Sequence, residues 1–204
     1  CKTSARTKLR LMPTMKIFNK SPKQRLAVLK HAAFMYVMLD GGSRSGKTFI
    51  TVRSIIIRAC KVKSRHVILR LRFNAVKTSI VMDTLPKVWS LCFPDLPPLS
   101  TKILGTEYST LYFNEASQIG WTAVNMALTR LAENSGLILR AYFDCNPPTK
   151  KHWIYKVFYE GVYPDSNDPI LNWEEKYAVM KMNPLDNADN LPEEYFNILK
   201  SLPK

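Results

Sequence analysis

Eight consecutive residues, Gly41-Gly42-Ser43-Arg44-Ser45-Gly46-Lys47-Thr48, match the pattern G-x-x-x-x-G-K-[ST] at every fixed position. Each fixed position has a chemical reason. Glycines let the backbone turn tightly and turn its N–H groups towards phosphate oxygens. A helix beginning near Lys47 would add the positive end of its dipole. Lys47 would bring a point charge to the β- and γ-phosphates, and the Thr48 hydroxyl would ligate magnesium. The chemistry implied is ATP hydrolysis with Mg²⁺, and Arg44, inside the loop, is a candidate to act on the γ-phosphate.

Such chemistry also needs acid groups at a strand end. Leu111-Tyr112-Phe113-Asn114-Glu115 fits, with one departure. The usual order is Asp then Glu, the first holding magnesium through water and the second orienting the attacking water. Here the first position is Asn114, whose amide oxygen can accept from a magnesium-bound water but carries no charge. Glu115 is then the catalytic carboxylate. Asp144, at the end of a later apolar stretch, is a competing acid. The Cys145-Asn146-Pro147-Pro148 that follows it reads better as a sensor turn, with Asn146 as the sensing residue. Upstream, Gln24 in Ser21-Pro22-Lys23-Gln24 carries a donor and an acceptor together, which suits an adenine edge.

These residues need a scaffold, and the hydrophobic pattern supplies one. Ser21-Pro22 opens a helix with Leu26, Leu29, Ala32 and Ala33 on one side. The apolar run Phe34-Met35-Tyr36-Val37-Met38-Leu39 reads as a strand buried on both faces. Residues 41–46 form a loop and residues 47–61 a helix. The alternation goes on through a strand at 66–71, a helix at 75–91 and a Pro-rich loop at 94–100. It then gives a strand at 110–113, a helix at 121–131, a strand at 136–144, a helix at 151–159, a strand at 177–181 and a helix at 192–202. Strands alternating with helices predict an α/β fold with a mainly parallel sheet and helices on both faces.

Composition narrows the class. The chain has 204 residues, 46% of them hydrophobic and 23% charged, as in a globular domain. No run of about 18 apolar residues occurs, which argues against a membrane span. The N-terminus is basic with no long apolar run after it, so no signal peptide is expected. The first residue is Cys, which suggests a piece of something longer. The formal net charge of +14 implies a polyanionic partner, with nucleic acid the first expectation. Cys1, Cys60, Cys92 and Cys145 show no CxxC spacing and no clustering with His31, His66 and His152. That argues against a zinc site or a disulfide framework, and for reduced thiols of a cytosolic protein.

The ordered set of motifs resembles the ATPase domain of the phage terminase large subunit, the motor that packages DNA into viral capsids. Ser21-Pro22-Lys23-Gln24 looks like the family's adenine motif, and residues 41–48 like its Walker A, with an arginine at Arg44. Gly105-Thr106-Glu107-Tyr108 followed by Leu111-Tyr112-Phe113-Asn114-Glu115-Ala116-Ser117 is similar to the Walker B region of one branch, where Asn-Glu replaces Asp-Glu. Asp144-Cys145-Asn146-Pro147-Pro148 with Trp153 resembles that branch's coupling motif, and Met182-Asn183-Pro184-Leu185 the segment closing the domain. The resemblance implies a RecA-like (ASCE-type) P-loop NTPase. It also implies a ring of copies of the chain around double-stranded DNA, portal and small-subunit partners, and the cytoplasm of an infected bacterial host.

The expected layout is a basic arm over residues 1–20, a P-loop ATPase domain over 21–190, and a helix over 191–204 leading towards a nuclease domain that this chain does not reach. Nuclease activity is therefore not expected. The family carries more chain, including a strand, between the Pro-rich loop and the Walker B region. Here only Leu99-Ser100-Thr101-Lys102 stands, which suggests a segment missing near Ser100. Arg130, Arg140 and Lys102 are candidates to reach a neighbour's ATP in trans, against the alternative of solvated or DNA-facing bases. Rival functions are a helicase-like nucleic-acid translocase and a nucleotide-gated DNA-binding assembly protein in which Asn114 marks lost hydrolysis.

Overall fold

A computed structural model describes residues 18–96 and 107–201. Its sheet has five strands: β1 (Tyr36–Asp40), β2 (His66–Leu69), β3 (Thr110–Phe113), β4 (Arg140–Cys145) and β5 (Tyr177–Lys181). All run parallel, in the order β2-β3-β4-β1-β5. The expected parallel α/β architecture of RecA-like P-loop type is therefore present. β4 stands between β1, which feeds the P-loop, and β3, which feeds Asn114 and Glu115.

Strand alternation divides the core in two. Val37, Leu39, Tyr112 and Tyr142 face one side, where α1 (Pro22–Ala33) and α2 (Lys47–Lys61) contribute Ala27, Ile50, Val52 and Ile55. Met38, Leu111, Phe113, Ala141 and Phe143 face the other, under Trp153, Ile154 and Phe158. Phe113 and Phe143 stack with centroids 4.7 Å apart, so β3 and β4 are locked in register just before their functional ends.

Helix α1 begins with a reciprocal cap: Ser21 Oγ accepts from the Gln24 N–H, and Gln24 Oε1 accepts from the Ser21 N–H. Its buried face is Gln24, Ala27 and His31, not the Leu26–Leu29 side expected from hydrophobicity. Leu29 is 65% exposed. The cap fixes the rotation of the helix, and Tyr142 OH donating to the His31 carbonyl at 3.1 Å holds its far end. Helix α2 spans the predicted residues and starts at Gly46, which lies in the left-handed region at φ 84°.

The helix predicted at 75–91 runs from Phe73 to Cys92, and its middle, Lys77–Thr84, is π-helical between the α-segments Phe73–Val76 and Leu85–Cys92; together these form α3. Helix α4 (Trp121–Leu128) stops three residues before its predicted end. β4 begins at Arg140, four residues later than expected, after a turn in which Gly136 has φ 81°. The helix predicted at 151–159 is α5, an α-segment Trp153–Tyr155 continuing as a π-segment Lys156–Glu160. A short α6 (Trp173–Lys176) leads into β5. Beyond β5 come a 3₁₀ segment, Pro184–Asn190, that periodicity did not reveal, and α7 (Glu193–Ser201). Among the described residues no helix is long and apolar enough to cross a membrane.

Candidate nucleotide-binding site

The P-loop leaves β1 and wraps the Lys47 ammonium. Nζ donates to the Gly41 and Gly42 carbonyls, each at 2.7 Å, and to Ser45 Oγ at 3.1 Å. Burial lowers the Lys47 pKa, opposed by the negative charges of Asp144 and of other groups near the loop. Gly41, at φ 136°, must be glycine, since a Cβ there would run into the Met182 carbonyl. At Gly46 a Cβ would lie 2.7 Å from Gln24 Nε2. Ser45 is buried, whereas Ser43 and Arg44 are exposed at the tip.

The loop is braced from the C-terminal side. The Met182 N–H donates to the Asp40 carbonyl at 2.7 Å. Asn187 Nδ2 donates to the Arg44 carbonyl at 2.9 Å. The Arg44 guanidinium lies 5.5 Å from the centre of the Tyr195 ring, on α7. Arg44 has a positive φ of 60°, a conformation uncommon for a non-glycine residue. In the sequence, residues 182–185 read only as a closing segment. Asn187 and Tyr195 carried no sequence signal that placed them against the loop.

Across β4 the acid groups converge. Asp144, 2% exposed, accepts from Thr48 Oγ1 at 2.8 Å, Tyr112 OH at 2.7 Å, Asn114 Nδ2 at 2.9 Å and the Glu115 N–H at 2.8 Å. Glu115 follows with φ 53°, and this sharp turn throws its side chain towards the solvent side, where it is 41% exposed. Its carboxylate pairs with the Arg70 guanidinium and accepts from Gln118 Nε2 at 2.9 Å. Lys47, Thr48, Asn114, Glu115, Asp144 and Asn146 line one cavity of about 430 Å³, within the usual range of small-ligand sites.

Several sequence expectations need correction. Gln24 is 2% exposed, its carbonyl oxygen is spent in the α1 cap, and its amide nitrogen faces Gly46. It lies against the P-loop at Gly46 with only the amide NH₂ unengaged, so the donor-and-acceptor edge expected for an adenine is not offered whole. Asn114 turns its NH₂ to Asp144, while its Oδ1 is buried without a protein partner, so its contact with the neighbouring acid is made through nitrogen and not through the oxygen expected to face the metal. Arg140 opens β4 at the sheet end away from the P-loop, is 6% exposed, and donates to the Ala32 carbonyl at 2.6 Å. A guanidinium so enclosed cannot reach another subunit. Arg130 is exposed, but its carbonyl accepts from the Tyr108 N–H just ahead of β3, which places it at the same far end. Lys102 lies outside the described residues, as do Cys1, most of the basic arm and the Pro-rich loop beyond Leu96.

The described cysteines are free thiols, and burial pushes that of Cys145 up to about 12, which removes it as a nucleophile near neutral pH. Among the described residues no group of three or more His, Cys, Asp or Glu could cage a metal ion. The Thr48 hydroxyl oxygen, whose proton goes to Asp144, instead suits a hard cation that keeps waters and takes other ligands from a polyphosphate.

Neither a protein-family model nor a curated protein matches the sequence. The fold does have solved counterparts. The large terminase of a thermophilic bacteriophage in complex with ATP-gamma-S superposes with a TM-score of 0.70 at 15% identity, over 91% of this chain and 50% of the other. The same protein in complex with ADP gives 0.70 at 17% identity, over 90% and 50%. A third structure of that terminase gives 0.69 at 18%, over 91% and 50%. The chain thus spans about half the length of the terminase structures it matches.

Proposed function

We propose that this chain is the ATP-hydrolysing part of a viral DNA-packaging motor of the large-terminase type. The observation that carries the reading is convergence: the P-loop from β1 and Glu115 from β3 open into one cavity, across the intervening β4. The terminase fold likeness supports it, as does the surplus of 14 positive charges, which suits a sequence-independent grip on double-stranded DNA. Copies of the chain would form a ring in the cytoplasm of an infected bacterium, meeting the portal and the small subunit there. The same charge and cavity, with Glu115 in place, favour turnover over a purely nucleotide-gated assembly role.

The residues divide the work. Lys47 is held by neutral carbonyls, which an anionic phosphate outcompetes, so the ammonium is poised to transfer to the β- and γ-oxygens. The N–H groups at the start of α2 face the same anion. Magnesium, when bound, would neutralise charge on the β- and γ-phosphates. Thr48 donates its hydroxyl proton to Asp144, which leaves its lone pairs free to hold that ion. Glu115, once free of Arg70, accepts a proton from the attacking water. Arg44 acts on the γ-phosphate in cis or triggers the loop, and Asn146, at the exit of β4, senses the bound state.

The decisive experiment measures Mg²⁺-dependent ATP turnover against protein concentration, with and without double-stranded DNA. Stimulation by DNA and a steep rise with concentration are expected. A rate unchanged by DNA at every concentration sinks the motor reading.

A further inference from the structure

We infer that the acidic charge serving the magnesium site stands on β4 instead of β3: Asp144, through the Thr48 hydroxyl, does the work that the residue at Asn114's position does in the usual arrangement. The inference rests on the ATPase reading above and deepens it by assigning a residue to the metal.

Register makes the exchange geometrically simple. β3 and β4 are parallel, with Phe113 opposite Phe143 as their last pair. One residue further on, Asn114 and Asp144 are neighbours across the ladder. Alternation turns both to the face of Tyr112 and Tyr142, the face that carries the P-loop helix. A carboxylate on either strand end is thus delivered to the same space beside Thr48.

The hydrogen bonds decide which residue serves the metal. Asn114 Nδ2 donates to Asp144 Oδ1 at 2.9 Å and sits 3.2 Å from Oδ2 and from Tyr112 OH. Turning the amide over would set its oxygen against a carboxylate, so its orientation is fixed by charge. The one atom of Asn114 that could accept from a metal-bound water, Oδ1, is buried without a partner. Asp144 by contrast receives the Thr48 proton at 2.8 Å and is clamped by Tyr112, Asn114 and the Glu115 N–H. Four donors use up the acceptor sites of a carboxylate. Asp144 therefore acts as a positioning residue. It orients Thr48 so that its lone pairs face the cavity, and it places a negative charge one hydrogen bond from the hydroxyl that would hold the ion. Asn114 is the neutral partner that keeps two carboxylates from crowding one site.

The test uses a fluorescent ADP analogue, read by its affinity in EDTA and by the Mg²⁺ concentration that strengthens binding. Wild-type binding in EDTA tests the P-loop reading alone, and its complete absence overturns both that reading and this one. Asp144→Asn should leave metal-free affinity close to wild type and raise the Mg²⁺ requirement about tenfold to a hundredfold, the usual cost of losing a group that orients a metal ligand. The exchange variant Asn114→Asp/Asp144→Asn should recover most of that loss. A purely structural role for Asp144 would lower nucleotide affinity equally with and without metal, and that result overturns the assignment. So does an unchanged Mg²⁺ titration. Should Asp144→Asn fail to fold, Asn114→Asp alone answers the question. Its second carboxylate should make Mg²⁺ with ADP raise the melting temperature more than in wild type, and an equal rise overturns the proposal.

Discussion

Arg70, the first residue after β2, forms an ion pair with Glu115, the residue that leaves β3 in a left-handed turn. Arg70 also donates through Nη1 to Ser79 Oγ at 2.8 Å, within the π-helical stretch of α3. The carboxylate assigned to the attacking water is thus tied to a helix that borders the cavity through Asp83 and Thr84.

Two variants test that link. Glu115→Gln keeps size and hydrogen bonding but cannot take a proton. Nucleotide binding should persist while ATP turnover falls at least about a hundredfold. Arg70→Ala frees Glu115, and basal turnover without DNA should rise several-fold while stimulation by DNA shrinks. A large fall in basal rate instead would show that Arg70 holds Glu115 in its working position.

Lys47→Ala removes the charge that would hold the transferring phosphoryl group, so turnover should collapse in a folded protein. Near-normal activity in that variant would falsify the P-loop assignment. The same variant serves a mixing experiment. Arg130 is the exposed trans candidate among the described residues. Arg130→Ala subunits mixed with Lys47→Ala subunits should recover activity if Arg130 completes a neighbour's site. No recovery in demonstrably mixed assemblies removes that role.

Stability should fall on mild acidification, and His31 is the main cause. Burial, then the charge of Arg140, lowers its pKa to about 3, and Nδ1 lies 3.0 Å from Ser54 Oγ. The unfolded chain takes up this proton near the usual histidine value, whereas the folded chain does not until about 3. Between these limits the unfolded state binds more protons, so stability is complete above the upper limit and drains away below it. Over pH 6.5 to 5 this amounts to about 2 kcal/mol. His66, lowered to about 4 chiefly by burial, acts in the same direction. Chemical denaturation at both pH values should show the loss, and His31→Gln should flatten it. An equally steep loss in that variant would move the cause elsewhere.

Double-stranded DNA should bind with little sequence preference and weaken steeply with salt, because each neutralised phosphate releases counterions. A fluorescence-anisotropy titration at several salt concentrations measures the slope. Binding insensitive to salt would contradict a charge-driven grip.

Much of this architecture was legible because short-range physics dictates it. The P-loop, α2, β3 and β5 appear at their expected residues, since each is announced by a glycine pattern or an apolar run. What stayed hidden depends on contacts distant in sequence. The rotation of α1 follows from a cap and a tyrosine hydrogen bond, which outrank the exposed Leu26 and Leu29. Asp144 was visible as an acid at a strand end, but its place beside Thr48, 96 residues away, needed the strand order. Arg70 gave no signal, because a basic residue after a strand in so basic a chain is unremarked. The π-helical stretches carry no pattern that differs from an ordinary helix.

The bracing of the P-loop has a mechanical consequence. The Asp40 carbonyl at its entrance, and the Arg44 carbonyl and guanidinium at its tip, meet Met182, Asn187 and Tyr195 of the segment that runs from β5 into α7. A flexible loop could absorb the arrival and departure of a phosphate locally. This one has little space where it meets that segment: a side chain at Gly41 would run into the Met182 carbonyl, and a Cβ at Gly42 would come within 2.9 Å of the Pro184 ring. Strain arising at Lys47 when a phosphate binds would therefore meet its nearest ties in that segment. The contact at Tyr195 leaves α7 one side chain away from the tip of the candidate nucleotide site.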